Sequence, residues 1–190
     1  MSATTHQDDA KALVRLADLL RQRSLTHGDF VLASGRRSTF YIDARRTTMS
    51  GEGQVLIGSA GLAALRARAW NPRSVGGLTL GADPVAYALA HAARLAGIAL
   101  DAFTVRKEAK AHGTGRRIEG CFEAGDRVVV IEDVITTGRS ALEAVAAVRA
   151  ERANVLGVLA VIDRQEGGRE AIEAAGLPVV ALVSAQQLGV

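Results

Sequence analysis

The sequence predicts an α/β fold: a mostly parallel sheet flanked by helices, with a small N-terminal appendage. Three observations carry that expectation. Val-, Ile- and Leu-rich runs such as "DRVVVIEDV" and "NVLGVLAVIDR" are nearly continuous, as strands covered on both faces require. Helix-length, alanine-rich segments alternate with those runs, which is the rhythm of a doubly wound sheet. The residues richest in chemistry fall at the carboxyl ends of the strand-like runs: Asp83, Arg106 to His112, Glu132 to Ser140, and Asp163-Arg164. In such folds ligands bind beyond the carboxyl ends of the strands.

The elements follow in order. Residues 9–25, "DAKALVRLADLLRQRSL", place Leu13, Leu16, Ala17 and Leu20 on one face and predict an amphipathic helix. "FVLA" and "TFYID" read as two short strands around a Ser-Gly-Arg turn. Residues 53–69 predict a helix that ends near Asn71-Pro72. "SVGGLTLG" is a strand, "DPVAYALAHAARLAG" a helix and "ALDAFTVRK" a strand. "DRVVVIEDV" and "NVLGVLAVIDR" flank the helix "SALEAVAAVRAE"; "GGREAIEAAG" then gives a helix and "PVVALVS" a last strand. Residues 1–190 read as one domain, with an N-terminal segment over 1–50 and an α/β core over 51–190.

Composition sets the outer bounds. Of the 190 residues 48% are hydrophobic, 23% charged and 4% aromatic, an ordinary globular balance. The net charge of +3 fits nucleic acid, an acidic membrane or a polyanionic small molecule, and clustering must decide among them. Cys121 is the sole cysteine, which excludes an internal disulfide and a cysteine zinc cage; it reads as a partly buried small hydrophobe. "MSATTHQDDAKAL" lacks the marks of a signal peptide, and the apolar runs are strand-length, so no membrane association and a cytoplasmic location are expected.

The stretch "VVVIEDVITTGRSALEAV" sets two carboxylates, Glu132 and Asp133, directly before Thr136, Thr137, Gly138, Arg139 and Ser140. The second group leads into a helix N-terminus, whose free N–H groups bind phosphate, with Gly138 permitting close approach and Ser140 suited to the N-cap. A merely capped loop is the bland alternative. Two carboxylates at a buried strand tip are costly unless they meet hydroxyls, cations or metal. A sugar phosphate reconciles the two: phosphate in the cradle, ring hydroxyls donating to the acids. A Walker B strand would need a G-x-x-x-x-G-K-[ST] loop, and none occurs; nor is there a dinucleotide fingerprint or a G-x-S-x-G elbow.

Residues 106–117, "RKEAKAHGTGRR", gather Arg106, Lys107, Lys110, His112, Arg116 and Arg117 against Glu108 alone. A solvated loop, a nucleic-acid patch and a lid over a polyanion are the three readings. The absence of nearby aromatics for base stacking weighs against nucleic acid.

Together these motifs resemble the type I phosphoribosyltransferases. "VVVIEDVITTGRS" is similar to their phosphoribosyl-diphosphate-binding motif. "VRKEAKAHGTGRRIEG" resembles the catalytic loop of the orotate phosphoribosyltransferase family, "FVLASGRRSTFYID" its substrate-side segment and "VIDRQEGG" its distal strand-loop motif. The matches span roughly residues 30–168 in the family's order. The resemblance implies the type I phosphoribosyltransferase fold, with the 1–50 region on the substrate side, and transfer of phosphoribosyl to orotate within pyrimidine biosynthesis. It implies that Glu132, Asp133, Val134, Ile135, Thr136, Thr137, Gly138, Arg139 and Ser140 bind the donor.

It further implies that Arg106, Lys107, Lys110 and His112 belong to the loop that stabilises the departing diphosphate, with Asp133 and these four as the catalytic set. In the family this loop reaches a neighbouring subunit's site, so a homodimer with shared sites is implied. Thr136 and Arg164 match the positions that hold orotate, and Tyr41 lies where an aromatic neighbour of the base is expected. Without the resemblance, Arg164 reads as an ion pair with Asp163 or Glu166, and Tyr41 as a core tyrosine. Mg²⁺ is the implied cofactor, held mainly by substrate diphosphate and ribose hydroxyls, with Asp133 the candidate protein ligand. Two departures stand out: Ala33 where many members have lysine, and "LTLGADP" where some carry a Tyr-Lys pair, leaving backbone N–H groups of Leu80 and Gly81 to serve. Another nucleobase as acceptor, or a non-catalytic regulator of the same fold, are the alternatives.

Overall fold

Leucines spaced three and four apart put α1 (Ala3–Arg23) against the core, with Leu16, Leu19 and Leu20 each at most 2% exposed. The computed structural model describes residues 3–31, 35, 37–108 and 117–190, with side chains from residue 10 onward. The helix ends before the expected residue 25, because Leu25 already pairs with Ile42. β1 (Leu25–Val31) and β2 (Arg37–Ile42) form a two-stranded antiparallel sheet. The first strand therefore begins upstream of "FVLA" and takes in its Phe30 and Val31, while Leu32 and Ala33 fall outside the described residues.

The foot of this hairpin is pinned by a buried hydroxyl pair, Ser24 Oγ to Thr47 Oγ1 at 2.8 Å, onto a short helix, α2 (Arg45–Thr48), that no sequence pattern announced. α3 (Gly51–Ala67) starts two residues before the expected 53 because Ser50 caps it, its hydroxyl accepting from Gly53 N at 3.1 Å. Then follow β3 (Ser74–Leu78), α4 (Ala82–Leu95), β4 (Asp101–Val105), β5 (Ile118–Gly120), β6 (Arg127–Ile135), α5 (Arg139–Ala150), β7 (Asn154–Asp163), α6 (Gly168–Ala174), β8 (Val179–Ser184) and α7 (Ala185–Leu188).

The main sheet has the order β5-β4-β3-β6-β7-β8. All its pairings are parallel except β4 with β5. That edge strand has three residues, too few for an alternation to show in sequence. Cys121 follows it and is exposed, not partly buried, because the sheet ends there. β6 sends Val129 and Ile131 into one core with Leu16, Ile57 and Leu89, and Val128 and Val130 into another with Val145, Val148 and Ile172. Both faces are thus covered, which explains the continuous apolar runs. The parallel strands β3, β4, β6 and β7 deliver their carboxyl ends to one side, and β2 reaches the same side from the small sheet.

Candidate active site

A cleft of about 780 Å³ opens where those ends meet. β2 and the turn after it contribute Tyr41, Asp43 and Arg45; the exit of β3 contributes Thr79, Leu80 and Gly81; the exit of β4 contributes Lys107. β6 and its following loop supply Glu132, Asp133, Val134, Thr136 and Thr137, α5 supplies Arg139 and Ser140, and the exit of β7 supplies Arg164 and Glu166.

The acid pair lies near the carboxyl end of β6, as the run "DRVVVIEDV" leads one to expect, and the pairing with β7 continues past it to Ile135 and Asp163. Glu132 is 8% exposed. Burial, reinforced by the neighbouring Asp133 charge, lifts its carboxyl well above the usual range. Burial likewise raises Asp133, against the lowering effect of its hydrogen bonds to Glu132 and to Val134 N, the latter 2.9 Å long. Gly81 faces the Asp133 carboxylate closely: a Cβ there would come within 2.6 Å of Asp133 Oδ1, so a larger residue would push that carboxylate aside. Such a pair is poised to accept hydrogen bonds from vicinal hydroxyls, or to meet a cation, either of which would favour ionisation.

Below the acids the chain turns into α5 through Gly138, at φ 77°. Gly138, not Ser140, is the N-cap; Ser140 sits in the first turn and lines the cleft instead. The left-handed turn demands glycine, and a Cβ at Gly138 would also stand 2.7 Å from Gly168 O. The first-turn N–H groups have no helical acceptors, which makes this end an anion cradle edged by the hydroxyls of Thr136, Thr137 and Ser140. Of the expected donor residues, Gly138 shapes the turn without lining the cleft, and Ile135 does not line it either. The Ile135 side chain is buried in the core beneath α5.

Across the cleft, Arg164 is 8% exposed and its guanidinium lies 4.9 Å over the Phe40 ring. Its ion pair is with Glu166, at 2.7 Å, and not with Asp163, whose carboxylate takes Arg169 Nε and Gln165 N, each at 2.8 Å. Nε and Nη2 of Arg164 nevertheless complete no hydrogen bond of acceptable geometry among the described residues. A buried guanidinium left in that state is prepared for a planar anionic partner. Tyr41 is 43% exposed, 5.7 Å from the Phe30 ring, so it is a wall of the cleft rather than a core residue.

Of the basic loop, Lys107 lines the cleft while Arg106 turns aside, its Nη1 3.9 Å from Glu119. Lys110, His112 and Arg116 lie outside the described residues. Asp83 serves the frame: it accepts from Thr79 Oγ1 and Thr104 Oγ1, both at 2.7 Å, and so fixes the Thr79–Gly81 turn. Sequence reasoning missed Asp43 and Arg45, joined at 2.8 Å, although charged residues directly after a strand, in "IDARR", were a usable signal. The Arg45 guanidinium holds the Asp43 carboxyl below its usual value. Among the described residues no cluster of three or more His, Cys, Asp or Glu side chains is placed to hold a metal, and no helix is long and apolar enough to cross a membrane.

No protein-family model matches the chain. Curated relatives do. Orotate phosphoribosyltransferase of Aquifex aeolicus is 47% identical over 177 residues, 92% of this chain and 96% of the relative. That of Mycobacterium avium is 49% identical over 177 residues, covering 93% and 96%. The crystal structure of Mycobacterium tuberculosis orotate phosphoribosyltransferase in complex with Fe(III) dicitrate superposes with a TM-score of 0.83 at 47% identity, over 94% of this chain and 99% of that one. The same enzyme in complex with 5-phospho-α-D-ribosyl 1-diphosphate gives 0.78 at 40% identity, over 94% and 92%. Adenine phosphoribosyltransferase from Leishmania donovani, 19% identical with a TM-score of 0.63, shares the fold alone. With identities near one half along nearly its whole length, the chain belongs to the orotate phosphoribosyltransferase family and has its type I phosphoribosyltransferase fold.

Proposed function

We infer that the protein joins orotate to 5-phosphoribosyl 1-diphosphate, giving orotidine 5′-phosphate and diphosphate. The observation that carries the assignment is the convergence of three kinds of group on one cleft. The α5 anion cradle, a buried carboxyl pair and a buried guanidinium match in chemistry the phosphate, the ribose and the carboxylate of the two substrates.

In this reading the first turn of α5, with Thr136, Thr137, Gly138, Arg139 and Ser140, takes the 5′-phosphate. Glu132 and Asp133 accept the ribose hydroxyls, and their negative charge favours the positive ring that develops as the bond from C1 to the diphosphate oxygen breaks. Arg164 takes the orotate carboxylate as a fork, while Tyr41 walls the base and Thr136 contacts it. Held so, the orotate ring nitrogen forms its bond to C1 from the face opposite the leaving group, and positioning supplies much of the rate. Lys107 meets the departing diphosphate; Arg106, Lys110 and His112 join it by family resemblance, in a loop that in the family reaches a neighbouring subunit's site, which implies a homodimer. The hard oxygens of the buried acid pair fit Mg²⁺, with Asp133 the candidate ligand beside the donor's own oxygens. When bound, that ion would neutralise charge accumulating on the diphosphate.

The test is a spectrophotometric assay with orotate, the diphosphate donor and Mg²⁺, run beside a panel of purine bases. Loss of orotate absorbance dependent on all three components is expected. Turnover of adenine or hypoxanthine with orotate inert would overturn the acceptor assignment.

A further inference from the structure

We propose that Arg117 is a positioning residue that acts through Lys107, holding this lysine in the cleft and tying it to the helix that carries the anion cradle. The proposal rests on the reading of Lys107 as a diphosphate ligand.

The connection between β4 and β5 is antiparallel, and its ladder closes at Val105 opposite Ile118. One further backbone bond, Arg106 N to Arg117 O at 2.8 Å, extends the pairing. Beyond that bond, among the described residues, the Arg117 side chain takes over the contact with the strand exit. Nε donates to Arg106 O at 2.9 Å and Nη2 to Lys107 O at 3.2 Å, so one guanidinium satisfies both carbonyls at the exit of β4. The same Nη2 also donates to Glu143 of α5. Arg117 is therefore a three-way joint between the strand exit, the residue whose side chain enters the cleft, and the helix whose first turn lines it.

The geometry requires arginine. A lysine offers one ammonium on a flexible stem and cannot span two carbonyls and a carboxylate in a fixed plane. Its side chain is only partly exposed, at 34%, beside Glu143 at 36%, so this is not a fully solvated surface pair. A shift of the Lys107 backbone moves its ammonium relative to the cradle, and small misplacements of a charge-stabilising group cost rate heavily.

The test is a double-mutant cycle on the full-length protein, with Arg117→Lys and Lys107→Ala alone and combined. Two readouts are taken: kcat/KM for the diphosphate donor, and affinity for inorganic diphosphate with Mg²⁺ by calorimetry. If Arg117 works through Lys107, Arg117→Lys lowers both by about 10-fold or more in the wild-type background and by less than about 2-fold where Lys107 is already alanine. Glu143→Gln, which keeps an acceptor but loses the charge, is expected to give a smaller loss that likewise vanishes without Lys107. Equal losses in both backgrounds, or a loss explained by lowered melting temperature alone, would overturn the proposal, as would no loss at all. Orotate turnover by the wild-type protein separates the failures: with turnover intact, a flat cycle sinks the Arg117 inference and leaves the assigned reaction standing.

Discussion

At the scale of single residues, the chemistry depends on groups held in states that water would not favour. Burial raises the Glu132 and Asp133 carboxyls in the ligand-free fold above their ordinary values of 4.5 and 3.8. Stability from the protonated pair is thus fully present below the ordinary carboxylate range and is lost as pH rises through the raised folded values. Glu132→Gln is expected to melt above the wild type at pH 8, by about 3 °C for each kcal/mol relieved, with the difference shrinking at pH 4. Calorimetric or fluorescence melts at the two pH values check this; an equal difference at both would contradict it. The donor's hydroxyls favour the ionised pair, so donor binding should release protons, seen as a dependence of binding heat on buffer ionisation enthalpy. Arg164 is the mirror case, a buried charge paired with Glu166 whose Nε and Nη2 complete no hydrogen bond of acceptable geometry among the described residues. Arg164→Lys should raise KM for orotate by roughly 10- to 100-fold, through loss of the fork, with much less effect on KM for the donor.

At the scale of elements, the cradle is a property of how β6 hands over to α5. Gly138 provides a left-handed turn and leaves no room for a Cβ against Gly168. Gly138→Ala should therefore cost about 1–3 kcal/mol of folding stability and abolish tight donor binding, measurable by denaturant unfolding and calorimetry on one sample. Normal affinity in that variant would show that the α5 terminus is not the phosphate site. The exit of β3 is organised differently, with Asp83 gripping Thr79 and Thr104 while Gly81 makes way for the Asp133 carboxylate. This explains why a turn lacking the Tyr-Lys pair still forms a defined wall of the cleft.

At the scale of the whole molecule, much was legible in the residues themselves. The continuous apolar runs of β6 and β7 marked strands covered on both faces, and the polar residues after them marked the cleft. Boundaries were less legible where a local hydrogen bond decides them. Ser50 started α3 early, Leu25 recruited the end of the first helix into β1, and the three-residue β5 gave no pattern at all. Ser140 reads as a cap from sequence, yet Gly138 takes that place because the backbone must turn left-handed there. Asp43 and Arg45 stand directly after a strand, which marks them locally, but it is the tertiary placement of the small sheet that brings them to the cleft. The proposed sharing of sites between two subunits is testable at this scale. Lys110→Ala and Gly138→Ala proteins, each nearly inactive alone, should regain up to about a quarter of wild-type activity per site when mixed, through hybrid dimers that carry one intact site. Additive residual activities at every mixing ratio would argue that each chain works alone.

The most direct measurement of the central idea is a crystal structure of the protein with 5-phosphoribosyl 1-diphosphate and Mg²⁺. The account expects the 5′-phosphate at the first turn of α5 and the two ribose hydroxyls on Glu132 and Asp133. A donor bound elsewhere, with the carboxyl pair touching no sugar oxygen, would contradict it.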